Sequence, residues 1–472
     1  MVLFFEILII LTLICFSITK LDWSIIAFVF IVFIVNGLVF DRFELLPVPY
    51  RWTTYILSFL ILISALLRKG SSANFLGNPL FWPLFLWIIW AFFTGFVGEV
   101  TPPTILLLLK NYLIYVFLCF ALALTRLNEV KLKRMIYVFF GVVLVQVPIV
   151  ALQYSSELRW GNPDFICGTL GMWGTGQLMI LSVMVIGFLF SFSLIYAYSK
   201  KFILISILVT LSSIYESIAG AAQAIIVYLP ATLLFLLLTI GRKKRRRFKI
   251  FAQSLFGITV AIFLLMTLHK PFELEVESFL SRSILDLTKT TFSPSVGGER
   301  TIDANNPGRL FSLRYNINRL LSEGIRTLLI GKGFGSTKIS YFSGLSGSST
   351  ERIFHISQVA GSLYETGFIG LVLYLFIIVQ ALKMNRVFSE KIRDPFWKSI
   401  SLGYNGVIFL HFAGAFYHGI WYSTYSSFPF WFFSGIVFTI GARKGFWRRQ
   451  TVELRGTFTL GSVLREINKV DP

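Results

Sequence analysis

The sequence predicts an all-α, polytopic integral membrane protein with about 12–13 transmembrane helices and one large outward-facing loop. Hydrophobic residues make up 56% of the 472 positions and charged residues only 14%, against about 25% charged in soluble domains. Apolar runs near the roughly 20 residues that cross a bilayer recur along most of the chain. Basic residues gather in alternate connections between those runs, as the positive-inside bias requires.

Taken in order, candidate spans lie near 2–19, 23–40, 52–67, 79–97, 104–124, 135–153 and 174–199. Others follow near 202–214, 219–240, 250–267, 357–382, 399–417 and 422–440. The first begins MVLFFEILIILTLICFSITK, without a basic n-region or a small-residue cleavage site, so it reads as a retained helix. Cys15, Cys119 and Cys167 are too few and scattered for a disulfide framework or a metal site. Connections after odd-numbered spans, with the tail, hold 28 Lys and Arg, whereas the short connections after even-numbered spans hold Arg42, Arg51 and Arg159. That asymmetry places the odd connections and the C-terminus in the cytoplasm, and the even ones outside. The net charge of +20 would suit nucleic acid, but its densest run, RKKRRRFK at 242–249, sits between two spans. Juxtamembrane basic clusters set topology and meet lipid headgroups, so no nucleic-acid partner is expected.

The chain thus divides into transmembrane helices with short loops over 1–267, a large extracytoplasmic loop over 268–356, C-terminal transmembrane helices over 357–440 and a basic cytoplasmic tail over 441–472. The first part of the loop is polar and rich in Ser, Thr, Gly and Pro. Its second part predicts an amphipathic helix over 309–324, with Leu310, Leu313, Ile317, Leu320 and Leu321 on one stripe. Arg309, Ser312, Asn316, Arg319 and Glu323 form the opposite stripe. Such a helix lies against the outer membrane boundary or covers a cavity. From Arg309 to Arg352 seven basic residues face two acids, Glu323 and Glu351. A basic surface on the outer face asks for an anionic partner, either lipid headgroups or a phosphate ester held by guanidinium forks.

The stretch LLIGKGFGST at 328–337 resembles a phosphate-cradling loop, but Gly333 follows Lys332 where that loop needs Ser or Thr. Gly331, Gly333 and Gly335 therefore read as a tight outward turn. Ionisable residues within or at the outer ends of spans are Lys110, Glu216, His355, Glu365, His411 and His418. Intramembrane charge is costly and marks function by default. Lys110 is near enough to the outer end to snorkel, Glu216 falls at a short outer turn, and His411 suits a hydrogen-bonded core role. His355, beside the basic loop, suits a general base or a phosphate contact.

The Arg-led helix, then IGKGFG, then FHISQVAGSLYETGFIGLVLYL at 354–375, resembles the Wzy-type O-antigen polymerase and O-antigen ligase superfamily. The outer loop RWGNPDFICGTLGMWGTGQL at 159–178 is similar to that family's Arg-then-GTFG-like stretch. The resemblance covers roughly residues 140–440 and implies a GT-C-like glycosyltransferase of the bacterial inner membrane. Its donor would be an undecaprenyl-diphosphate-linked oligosaccharide and its acceptor a growing glycan chain or lipid A core. Membrane lipids would surround it, with a flippase and a chain-length regulator as candidate partners, and no cofactor or metal is expected. The resemblance casts His355, Glu365 and Glu216 as catalytic candidates, and Arg159, Arg309, Arg314, Arg319 and Lys110 as diphosphate ligands. Gly367 and Gly370 of ETGFIG join the turn glycines as structural residues. His355 stands one position further from Gly367 than the ligase pattern has it, and Tyr215-Glu216-Ser217 replaces that family's Ser-Arg. Both differences favour polymerase over ligase. A flippase or other transporter is the expectation from another class, although neither internal repeats nor broken midplane helices stand out.

Overall fold

The computed structural model describes residues 19–35, 53–68, 77–125, 127–155, 168–169, 175–196, 225–240, 257, 309–336, 357–417, 419–421 and 423–447. These are 85% helical and contain no strand. Four of the helices are long and apolar enough to cross a membrane: Pro102–Leu124, Glu129–Gln153, Gln177–Ile195 and Gln358–Lys391. Apart from Thr19 and Gly257, the expected spans near 2–19, 202–214 and 250–267 lie outside the described residues, as do 258–308, 337–356 and most of the tail.

In chain order the helices are α1 (Leu21–Phe30), α2 (Thr53–Leu67), α3 (Phe81–Val97), α4 (Pro102–Leu124), α5 (Glu129–Ser155) and α6 (Thr175–Ile195). Then come α7 (Ile225–Thr239), α8 (Arg309–Ser322), α9 (Ile325–Ile330), α10 (Gln358–Lys391), α11 (Pro395–Gly414) and α12 (Thr424–Arg443). Local chemistry sets several starts. Pro102 and Pro395 occupy the first helical turn, where the missing N–H costs nothing. Ser357 caps α10 by accepting from Ala360 N at 3.2 Å, and Asp394 caps α11 by accepting from Phe396 N at 2.8 Å.

Helices α6 and α12 are buried along nearly their whole described length, and α11 packs chiefly against α6, α12 against α4, and α10 against α3. A helix apolar on every side belongs in such an interior. Aromatic contacts fill it: Phe33, Phe139 and Phe428 meet one another within 5.8 Å, and Phe188 meets Phe433 at 4.2 Å. The perimeter is apolar as well, with Phe85, Phe93 and Phe96 exposed on α3 and Phe368, Val372 and Phe376 exposed on α10. Exposed apolar patches of this extent fit a bilayer rather than water.

Candidate functional site

The site is built around a break in α10. Gly367 takes φ 67°, ψ −172°, so two helical pieces, 358–366 and 368–391, meet there. A break strands carbonyls that the next turn would have satisfied, and apolar surroundings supply no water to meet them. Three outside donors meet them here. Lys332 N donates to Tyr364 O at 2.8 Å, Gly333 N to Glu365 O at 3.0 Å, and Trp90 Nε1 to Thr366 O at 2.9 Å. The IGKGFG turn therefore completes the backbone bonding of the broken helix.

This docking explains the glycines. Gly331, Gly333 and Gly335 have φ of 83°, 107° and 95°, the left-handed side that only glycine occupies freely. A Cβ on Gly331 would lie 2.5 Å from Gly367 N, and one on Gly367 would overlap the Leu329 carbonyl. Gly370, one turn on, would push a Cβ into Thr366 and to 3.3 Å from Trp90. The sequence places this turn on the outward surface; the structure buries Gly333, Phe334 and Gly335 between α3, α4 and α10. The reason is the unmet carbonyl row of α10, which draws the turn's N–H groups inward.

The preceding helix is also turned from its expected pose. Ser312, Asn316 and Leu320 of α8 are the buried residues, and Asn316 Nδ2 donates to Ala360 O at 3.0 Å. Leu320 packs with Leu363 and Tyr364. Leu313 and Ile317 are half-buried, while Leu321, Ile325 and Leu329 form an exposed apolar line running into α9. Small Ser312 and the amide of Asn316 permit close approach to α10, so the leucine stripe is left on the flank.

Charge gathers on this hairpin. Within 309–336 five basic residues stand against one acid, Glu323. Glu323 pairs with Lys332 and, at 3.7 Å, with Arg319, whose guanidinium lies 5.9 Å over the Tyr364 ring. Arg314 and Arg326 are exposed. Burial, and next the Arg319 charge, hold the Lys332 pKa below the ordinary lysine value. Glu365 is 1% exposed in the first piece of α10.

Arg319 and Glu365 are thus brought to one turn by α8 and α10, whereas Arg314 stands exposed on α8. Lys110 stands on the α2 side of α4, its ammonium 4.5 Å over the Tyr55 ring. Arg159, Glu216, His355 and His418 lie outside the described residues, as does the Arg309 side chain. Of the loop carrying Arg159, Gly168 and Thr169 are described and buried. Gln153 exchanges two hydrogen bonds with the Gly168 backbone, and Gln146 accepts from Thr169 N at 2.7 Å. Sequence reasoning missed Trp90, which carries no motif; Asn316 is visible there only as part of a polar stripe, Tyr364 only as part of the 354–375 stretch, and the Glu323–Lys332 pair only as charge. Among the described residues no cluster of His, Cys, Asp or Glu could hold a metal ion. Set against known proteins, the chain matches no family model and no curated sequence.

Proposed function

We propose that the protein polymerises undecaprenyl-diphosphate-linked oligosaccharide repeat units into surface polysaccharide at the outer face of the bacterial inner membrane, on a GT-C-like multi-helix frame. The observation that carries this reading is the cationic hairpin, five basic residues against Glu323, docked on a broken helix beside buried Glu365. In the reaction the bond between the anomeric carbon and the diphosphate oxygen breaks, and the diphosphate leaves with the electron pair. A new bond forms to an acceptor hydroxyl, whose proton passes to a base. Arg314, Arg319 and Lys332 would offset the charge growing on the leaving diphosphate, the largest contribution preorganised cations can make. His355 is the first candidate for the base, with Glu365 and Glu216 behind it. Arg159 and Arg309 would complete the anion site, with Lys110, on α4 over the Tyr55 ring, as a further candidate ligand.

Two other readings compete. A ligase would use the same chemistry with lipid A core as acceptor. A flippase gains support from the break in α10, since discontinuous helices mark transport sites; here, though, the carbonyls freed at the break are bonded by the turn and Trp90. Deleting the gene separates the three. Single repeat units on the outer leaflet support the polymerase, long unattached polymer supports a ligase, and repeats trapped on the inner leaflet support a flippase. Arg314→Ala or His355→Ala should reproduce the deletion with the protein still in the membrane. Polymer of normal length in both would remove them from the site.

A further inference from the structure

One side of α5 is left uncovered among the described residues. Val130, Tyr137, Gly141, Leu144, Val145 and Leu152 are exposed there, and at about 100° per residue their spacing puts them on one stripe. A Cβ on Gly141 would meet nothing within 4 Å. Most of the stripe is apolar, as a face toward acyl chains would be. Its first turns differ. Lys133 and Arg134 stand at its two edges, with Val130 and Tyr137 between them. This end of α5 lies beside the start of α11, where α10 has already ended at Lys391. It is therefore the end of the bundle away from the broken turn at Gly367.

Both cations are held against aromatic rings of neighbouring helices. Lys133 Nζ lies 4.7 Å over the Phe396 ring and 5.8 Å over the Trp397 ring of α11. The Arg134 guanidinium lies 5.8 Å over the ring of Trp23 on α1, itself exposed. Tyr137 meets Phe396 edge-on at 5.9 Å. The acids of this rim have other partners. Asp22 pairs with Lys131 at 3.0 Å, and Asp394 caps α11. Glu129, whose charge also reaches Lys133, accepts from the Trp397 indole at 2.8 Å and pairs with Lys444 at 3.3 Å. Among the described residues Lys133 and Arg134 thus face rings rather than carboxylates, and their charge flanks the open stripe.

We infer that Trp23, Lys133, Arg134 and Tyr137 form a headgroup site for an anionic phospholipid, whose acyl chains lie along the stripe of α5. Each part of the ligand has a counterpart. The phosphate diester accepts from the ammonium and the guanidinium. Trp23 and Tyr137 suit the boundary between headgroups and hydrocarbon, and the apolar stripe continues from there. A free phosphate would leave the stripe unused. A zwitterionic lipid brings its own cation between Lys133 and Arg134 and gains less. A second copy of this chain, docked by the same stripe about a two-fold axis, would set these like charges against each other. The charge bias predicts a cytoplasmic rim here, and that leaflet carries the anionic lipids. The site stands apart from the proposed transfer reaction and does not rest on it.

The test uses the full chain purified in dodecyl maltoside. Phosphatidylglycerol, or phosphatidylcholine with the same acyl chains, is titrated in, and native mass spectrometry counts the bound lipid. One phosphatidylglycerol should bind roughly twenty-five-fold more tightly than phosphatidylcholine, about fivefold for each cation. Lys133→Gln with Arg134→Gln should bring the two lipids to equal affinity. Lys133→Arg with Arg134→Lys keeps both charges and should retain most of the preference. Arg386→Gln with Arg393→Gln removes two exposed cations away from α5 and should change nothing. Gly141→Trp, which fills the open stripe, should weaken both lipids. Thermal unfolding identifies any variant that fails to fold. Equal affinities in wild type, or a preference that both folded Gln pairs keep or both lose, overturns the site. Displacement of the lipid by inorganic phosphate would make it a free-anion site instead. A dimer that excludes lipid would assign the stripe to a second copy.

Discussion

At Gly331 and Gly367 two backbones meet with no room for a methyl group, and both residues hold positive φ. Gly331→Ala or Gly367→Ala should therefore cost roughly 2–4 kcal/mol through backbone strain and overpacking. Thermal unfolding of the purified protein would register this as a lower midpoint, and an unchanged midpoint would contradict the docked turn. At Glu323 one carboxylate serves both Arg319 and Lys332. Glu323→Gln should raise affinity for inorganic pyrophosphate by roughly two- to fivefold, the scale of an exposed ion pair, as titration calorimetry would show. Each glycine motif is legible in the sequence, and so is the basic bias. Their partnership is not, because the turn and ETGFIG pair through backbone groups, which leave no signature in side-chain pattern.

Among the elements, α8 and α9 carry the sharpest contrast between sequence and structure. The helix itself is legible, since leucines recur at helical spacing from Leu310 to Leu321. Its rotation is not legible: Ser312 and Asn316 face α10, and an amide bonded to the Ala360 carbonyl outweighs leucine burial at that face. The exposed line Leu321, Ile325, Leu329 then meets acyl chains if the hairpin lies in the membrane boundary. A spin label on Ile325→Cys should be relaxed by dissolved oxygen more than by a water-soluble nickel chelate. One on Arg314→Cys should show the reverse, and equal accessibility at both would place the hairpin away from the bilayer. The break in α10 was hidden for a related reason. A single glycine in an apolar run is common in membrane helices, and only the donors waiting at Lys332, Gly333 and Trp90 turn this one into a break.

For the whole molecule, composition and charge alternation suffice for the class, because no soluble core needs so much apolar surface. Which helices form the interior is less legible. Helix α12, TYSSFPFWFFSGIVFTIGAR, is buried almost throughout although it carries several Ser and Thr. Helix α3, with a higher apolar content, exposes Phe93 and Phe96. Small and hydroxyl residues mediate helix contacts in a membrane while large apolar ones can face lipid, so hydrophobicity alone ranks the two backwards. The excess of 28 basic residues over three in alternate connections predicts, by the positive-inside bias, a cytoplasmic C-terminus. A green fluorescent protein fused after Pro472 should fluoresce, and a periplasmic alkaline phosphatase fused there should be inactive; the opposite pair would invert the topology. The central claim is that the cationic hairpin serves glycosyl transfer from a lipid diphosphate. Purified protein incubated with lipid-linked repeat units from deletion cells, resolved on a gel, tests it directly. Wild type should yield a ladder of two or more repeats and Arg319→Ala only the starting unit, whereas no ladder from wild type, or equal ladders from both, would contradict the account.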